Sequence, residues 1–333
     1  MTAFPQAPRW TGRFCVLLAL LLGLLAPACQ VAGDRGLQRY PLHETGAGGP
    51  RVLGVVAHPD DEVAFAATMY ATATLLGGSC DLLVITNGEG GFKYSTLAEP
   101  IYGMKLTDPD VGRRHLPSIR RDELLDGCDV LRLRQVLMLA QRDSGYTLEV
   151  QDVLADDADV WDLGLVAATL DRVLAEGDYD FVLTHLPVPE THGHHKAATL
   201  LTLQAVERLP VAQRPVVLGA GPTGPAGAGR PAGGSEPTAE RAPFTELAGY
   251  PRSRIRRDAG PYAFDRTTKF GHEGKLDYQI VVNWAIAEHK SQGTMQRAMN
   301  LWDKEVFWLY ELPVPRAAQR AATWFGRLAA GSP

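Results

Sequence analysis

Two short stretches hold residue types that can do chemistry together. The first is Ala57-His58-Pro59-Asp60-Asp61-Glu62, and the second is His192-Gly193-His194-His195. In the first, Pro59 holds His58 away from helical geometry and itself suits a first helical turn. His58 and Asp61 are three residues apart, so across such a turn both face one point, with Asp60 close by. The plain alternative is a helix end capped by Asp60 or Asp61, but a cap uses one aspartate and leaves His-x-x-Asp unexplained. In the second stretch His192 and His195 repeat the three-residue spacing, and the plain alternative is a solvated histidine-rich turn. His58, Asp61 and His195 make a two-nitrogen, one-oxygen set of the kind that holds catalytic zinc, with a fourth position left for water of pKa about 7. Asp60 is then placed to take that water's proton as general base. His192 is placed to stabilise an oxyanion and protonate a departing amine. This division of labour suits hydrolysis of an amide.

The chain between these stretches must bring them together. Residues 51–57 (Val52, Leu53, Val55, Val56) form a nearly unbroken apolar run, the pattern of a strand covered on both faces. A helix is predicted over 61–76, stopped by Gly77-Gly78. A strand over 81–86 ends at Asn87-Gly88-Glu89-Gly90-Gly91, which lacks the Gly-Lys-Ser/Thr ending of a phosphate loop and reads as a pocket-lining turn. There follow a helix over 118–131, a strand over 135–140, a helix over 160–176, a strand over 181–184 and a helix over 194–208. This alternation predicts an α/β, Rossmann-like fold with a mainly parallel sheet flanked by helices. In such sheets ligands bind beyond the carboxyl ends of the strands, and both clusters lie just after predicted strands. Residues 219–257 turn to Gly, Pro, Ala and Ser and read as a flexible insertion. Helices over 275–289 and 294–302 follow. Trp284, Trp302, Phe307 and Trp308 read as core rather than as sugar-stacking rings. The folded domain is expected to span 51–320, between a linker at 29–50 and a tail at 321–333.

Residues 1–28 read as a signal peptide: Arg9 and Arg13, an apolar run from Phe14 to Leu25, then Ala26-Pro27-Ala28 as a cleavage site. The apolar run is too short to span a bilayer. Cys29 follows at once, and two outcomes stay open, lipid attachment at Cys29 to the membrane or plain cleavage after Ala28. Either way the protein is expected to be exported, to the cell envelope or beyond. A bridge between Cys80 and Cys128 is permitted in an oxidising compartment, though two buried thiols are the plainer reading. The net charge of −5 argues against nucleic acid as a partner. Arg252, Arg254, Arg256 and Arg257 read as a solvated loop.

The two motifs together resemble the PIG-L/LmbE-like family of zinc-dependent de-N-acetylases. Four further segments are similar to it: Thr86-Asn87-Gly88-Glu89-Gly90-Gly91, Arg120-x-x-Glu123-Leu124, Arg142-Asp143-Ser144-Gly145 and His289-Lys290-Ser291-Gln292. The resemblance covers roughly residues 51–311 outside the insertion. It implies a Rossmann-like fold, Zn²⁺ or another divalent transition metal, and removal of acetyl from N-acetylglucosamine-type sugars or glycoconjugates. It also implies His58, Asp61 and His195 as ligands, Asp60 as base, His192 at the oxyanion, and Arg120 and Asp143 in contact with substrate, the plain alternative for the last two being an ion pair away from it. One departure stands out. Relatives often carry aspartate between the two histidines, where this chain has His194; a carboxylate there could orient its neighbour. An amidase on a non-sugar conjugate and an exported, non-catalytic glycan-binding protein are the other readings.

Overall fold

The computed structural model describes residues 36–44, 48–221 and 244–331. The expected signal peptide, Cys29, the first part of the linker and residues 222–243 of the insertion lie outside the described residues. In chain order the elements are β1 (Gln38–Pro41), β2 (Arg51–Val56), α1 (Ala66–Leu75), β3 (Ser79–Thr86), α2 (Glu99–Tyr102), α3 (Pro109–Val130), β4 (Gln135–Gln141), α4 (Gln151–Leu154) and α5 (Leu163–Gly177). They continue with β5 (Phe181–His185), α6 (Gly193–Arg208), β6 (Val216–Ala220), β7 (Tyr262–Asp265), β8 (Lys269–Phe270), β9 (Leu276–Asp277), α7 (Tyr278–Glu288), β10 (Lys304–Leu309) and α8 (Ala317–Ala330).

Among the described residues, eight strands form one sheet in the order β1-β4-β3-β2-β5-β6-β10-β7. The five central strands, β4 to β6 in that order, run parallel, and apolar runs had predicted four of them, β2 to β5. Alternate residues of each strand feed two cores. Val52 and Val56 join Phe65, Leu124 and Trp324 on one face, while Leu53, Val55 and Ala57 join Leu170, Ala197 and Val206 on the other. Chain order reverses between β2 and β5, and such a switch point opens a crevice at the strands' carboxyl ends. The loops after β2 and β5 carry the two histidine motifs, so topology alone brings them together.

Several expectations are corrected. Residues 38–41, read as linker, form β1, which pairs antiparallel with β4. Residues 216–220 form β6, and the described end of the insertion is ordered: Phe244 and Ile255 are buried, and Ile255 N–H donates to the Thr245 carbonyl at 3.0 Å. The arginines there pair with acids, Arg254 with Glu246 at 2.6 Å and Arg256 with Asp258 at 2.6 Å. Most of the expected tail is the helix α8, whose Ala321, Trp324 and Leu328 are buried. Helix α3 begins at Pro109, nine residues before the expected start, because the Asp108 carboxylate caps Asp110 and Val111 N–H at 3.0 and 3.1 Å. Its internal Pro117 is tolerated. Residues 294–302 hold only a short 3-10 turn, Met295–Ala298. Trp284 is 59% exposed rather than core, whereas Phe307 and Trp308 are buried on β10. Cys80 and Cys128 are both buried, free thiols. No described helix is long and apolar enough to cross a membrane.

Candidate active site

Beyond β2 the chain turns through His58-Pro59-Asp60 into a 3-10 turn, Asp61–Phe65. Asp60 sits at φ 127°, a region that non-glycine residues rarely adopt and that stores backbone strain. Neither aspartate caps the following helix. Instead the Asp61 Oδ2 reaches back to accept the N–H of Ala57 at 3.2 Å and of His58 at 2.7 Å, which fixes the carboxylate. The N-terminus of α1 is held by Glu305 of β10. This buried carboxylate accepts the N–H of Ala67 and Thr68, each at 2.8 Å, and pairs with Arg266 at 3.0 Å.

The sheet places the expected ligand set in one spot. His58 Nδ1 lies 3.1 Å from His195 Nε2 and 3.4 Å from Asp61 Oδ2, and His195 Nε2 lies 3.1 Å from Asp61 Oδ1. Three tetrahedral ligands with bonds of about 2.0–2.1 Å to zinc stand about 3.3 Å apart, so these donors fit such an ion. Burial alone would raise the Asp61 carboxyl, but His195 and His58 hold it well below its ordinary value. Burial lifts the Asp60 carboxyl to about 6 even though Arg120 opposes the shift. A carboxylate so tuned is a competent base near neutral pH.

His192 is the N-cap of α6. Its Nδ1 accepts the His194 N–H at 3.0 Å, so the neutral ring carries its proton on Nε2. Burial, followed by the neighbouring histidines, lowers its pKa and keeps it neutral. Gly193 fits beside it because a Cβ there would meet the Glu149 carbonyl oxygen at 2.6 Å. His194 is fully buried behind His58, with its Nδ1 3.0 Å from His58 Nε2 and its Nε2 3.0 Å from Ser144 Oγ. Its ring therefore supports His58, and only its backbone N–H meets His192.

Arg120 and Asp143 are 3% and 4% exposed. The Arg120 guanidinium pairs with Asp60 at 3.1 Å and donates to the carbonyls of Gly88, at 2.6 Å, and Pro59. Asp143 accepts the N–H of Gly90 at 3.0 Å and of Gly145 at 2.9 Å. In these contacts they hold loops and the Asp60 carboxylate. The segment Asn87–Gly91 is a turn in the wall, with Gly88 at φ 68°.

His185 escaped sequence reasoning, and so did the pairing of Glu62 with His289, two residues that the motifs had each contained. His185, at the end of β5, stacks on His195 with centroids 4.6 Å apart, and burial next to His195 lowers its pKa to about 4. Its place at a strand's carboxyl end was the available signal. Glu62 and His289, both fully buried, pair at 2.6 Å, and the second Glu62 oxygen accepts the Asp60 N–H at 3.1 Å. Nothing in the sequence links residues so far apart.

A family model described as GlcNAc-PI de-N-acetylase, PIG-L, matches residues 53–206. Over that segment, a little under half of its length, the chain is similar to the PIG-L family. A Bacillus cereus protein described as "Probable N-acetyl-alpha-D-glucosaminyl L-malate deacetylase 2" is 30% identical over 166 residues, 50% of this chain and 65% of the relative. A like-named protein of Bacillus subtilis is 26% identical over 165 residues, 49% of this chain and 64% of the relative. These alignments span just under two thirds of each relative's length. The N,N'-diacetylchitobiose deacetylase of Pyrococcus horikoshii aligns at 22% identity and a TM-score of 0.36, over 49% of this chain and 52% of that one. The PIG-L segment runs from β2 to α6 and carries the motif residues. His289, Arg266 and Glu305, which brace the Asp60 turn and α1, lie beyond it.

Proposed function

We propose that the protein is a metal-dependent hydrolase that removes acetyl from an N-acetylglucosamine-type sugar or glycoconjugate. The observation that carries this reading is the convergence of His58, Asp61 and His195 at 3.1–3.4 Å, beside the base Asp60, at the switch point of a PIG-L fold. Zinc held by these residues would supply Lewis acidity and a water of lowered pKa. Asp60 accepts the proton of the attacking water, and Arg120 orients the Asp60 carboxylate through the 3.1 Å pair. His192, with Nδ1 engaged by the backbone, presents Nε2–H to the carbonyl oxygen as charge gathers there. The proton held on Asp60 then serves the departing amine, which relieves the neutral His192 of that duty. The sugar class is supported by the names of the Bacillus relatives, both N-acetylglucosaminyl malate deacetylases. Export, expected from residues 1–28, would favour envelope or extracellular glycoconjugates as substrates.

Acetate release from N-acetylglucosamine conjugates, with and without chelator, tests the reading. Turnover that stops with chelator, returns with zinc and falls at least about 100-fold in Asp60→Asn, the range of general-base catalysis, is expected. Acetate release from non-sugar acetamides alone would replace the sugar with another amide. Full turnover in Asp60→Asn would end the assignment of the base.

A further inference from the structure

His58 turns only one of its ring nitrogens to Asp61 and His195. The other, Nε2, faces His194 Nδ1 at 3.0 Å, and the His192 ring lies on the same side, with centroids 5.0 Å from His58 and 4.5 Å from His194. One nitrogen from each of these three residues lies within 4.8 Å of the other two. A trio of imidazoles is itself a zinc set, and its all-nitrogen character suits zinc, copper or nickel. Asp143 Oδ1 stands 3.6 Å from His194 Nδ1 and supplies negative charge beside the trio.

We propose that His58, His192 and His194 form a second transition-metal position, filled when zinc exceeds one equivalent, which shares His58 with the first. The position depends on His194 being an imidazole rather than a carboxylate. Filling it displaces the His58 Nε2 proton, which goes to solvent as the nitrogen–metal bond forms. His192 must also release its cap, because binding the ion through Nε2 moves that proton to Nδ1, whose lone pair is otherwise spent on the His194 N–H. Both requirements make the second position the weaker one. They also make it inhibitory, since the ion removes the Nε2–H that His192 offers to substrate.

The inference goes beyond the proposed activity and is read by stoichiometry. The purified holoprotein is dialysed against rising zinc alone, and bound metal is measured by elemental analysis. The wild type is expected to take up two equivalents, the second with release of about one proton per ion as ligand deprotonation requires. His194→Asn, whose amide oxygen can still accept from His58, should keep the first equivalent, weakened about 10-fold by the altered support, and lose the second. His192→Gln, which leaves the His58–His194 contact in place, should likewise bind one. Asp61→Ala should lose the tight equivalent instead, so failure of the first position and failure of the second are distinguishable whether or not any acetamide is cleaved. A wild type that saturates at one equivalent would overturn the proposal. So would a second equivalent that survives in both His194→Asn and His192→Gln.

Discussion

The Glu62–His289 pair should behave as one unit, and a double-mutant cycle can measure it. Both side chains are fully buried and 2.6 Å apart, and the other Glu62 oxygen holds the N–H of the strained Asp60. Removing one partner leaves the other's charge buried, which costs about 3 kcal/mol or more. Glu62→Gln and His289→Gln are therefore each expected to destabilise by about 3 kcal/mol, and the double variant, with no charge left to compensate, also by about 3. The coupling is then about 3 kcal/mol, read from urea unfolding of the four proteins. The pH dependence has a definite sign. Burial alone would lower the His289 pKa, but Glu62 outweighs it and the value is raised above its ordinary 6.5. The pair's stabilisation is thus complete below pH 6.5 and lost as pH climbs through the raised value. Turnover should separate the partners. In Glu62→Gln the bond to Asp60 changes from charge-assisted to neutral, worth about 1 kcal/mol or about five-fold in kcat. His289→Gln leaves that bond in place and should lose less. Additive stabilities would refute an ion pair bracing the base.

Three other perturbations follow from the contacts. Glu305→Ala strands the buried Arg266 and uncaps α1, and should lower stability by about 3–5 kcal/mol, seen as a thermal midpoint about 10 °C lower. Gly88→Ala forces a methyl at φ 68° against the Arg120 guanidinium, and should lower kcat about 10-fold or more through the Arg120–Asp60 pair while circular dichroism stays native. Tyr146 is 58% exposed and meets the His192 ring edge-on at 5.0 Å, a platform at the mouth of the site. Tyr146→Ala should raise KM by about 2- to 10-fold for a sugar substrate, matching a lost aromatic contact of about 0.5–1.5 kcal/mol, with kcat nearly unchanged.

What was legible in the chain follows from where each signal is stored. Strands covered on both faces announce themselves as apolar runs, so β2, β3, β4 and β5 were readable, and with them the strand ends that hold the motifs. An edge strand has no such need. Gln38-Arg39-Tyr40-Pro41 is mostly exposed and polar, and only its ladder with β4 makes it a strand. Helix α8 did carry a readable face, Ala317, Ala321, Trp324 and Leu328 at helical spacing. Trp284 illustrates the converse: Val281, Val282, Ala285 and Ile286 take the buried side of α7, and helical geometry turns the intervening position outward. Around the cation position the sequence could name the histidines but not divide their work, because the division is made by the backbone. Once the His194 N–H is spent on His192 Nδ1, the remaining proton of His192 can sit only on Nε2, facing the site. Once His194 lies behind His58, it must serve the nitrogen that Asp61 and His195 do not face. The cap at the start of α6 is thus what leaves one histidine with an Nε2–H to offer and sets its neighbour against His58.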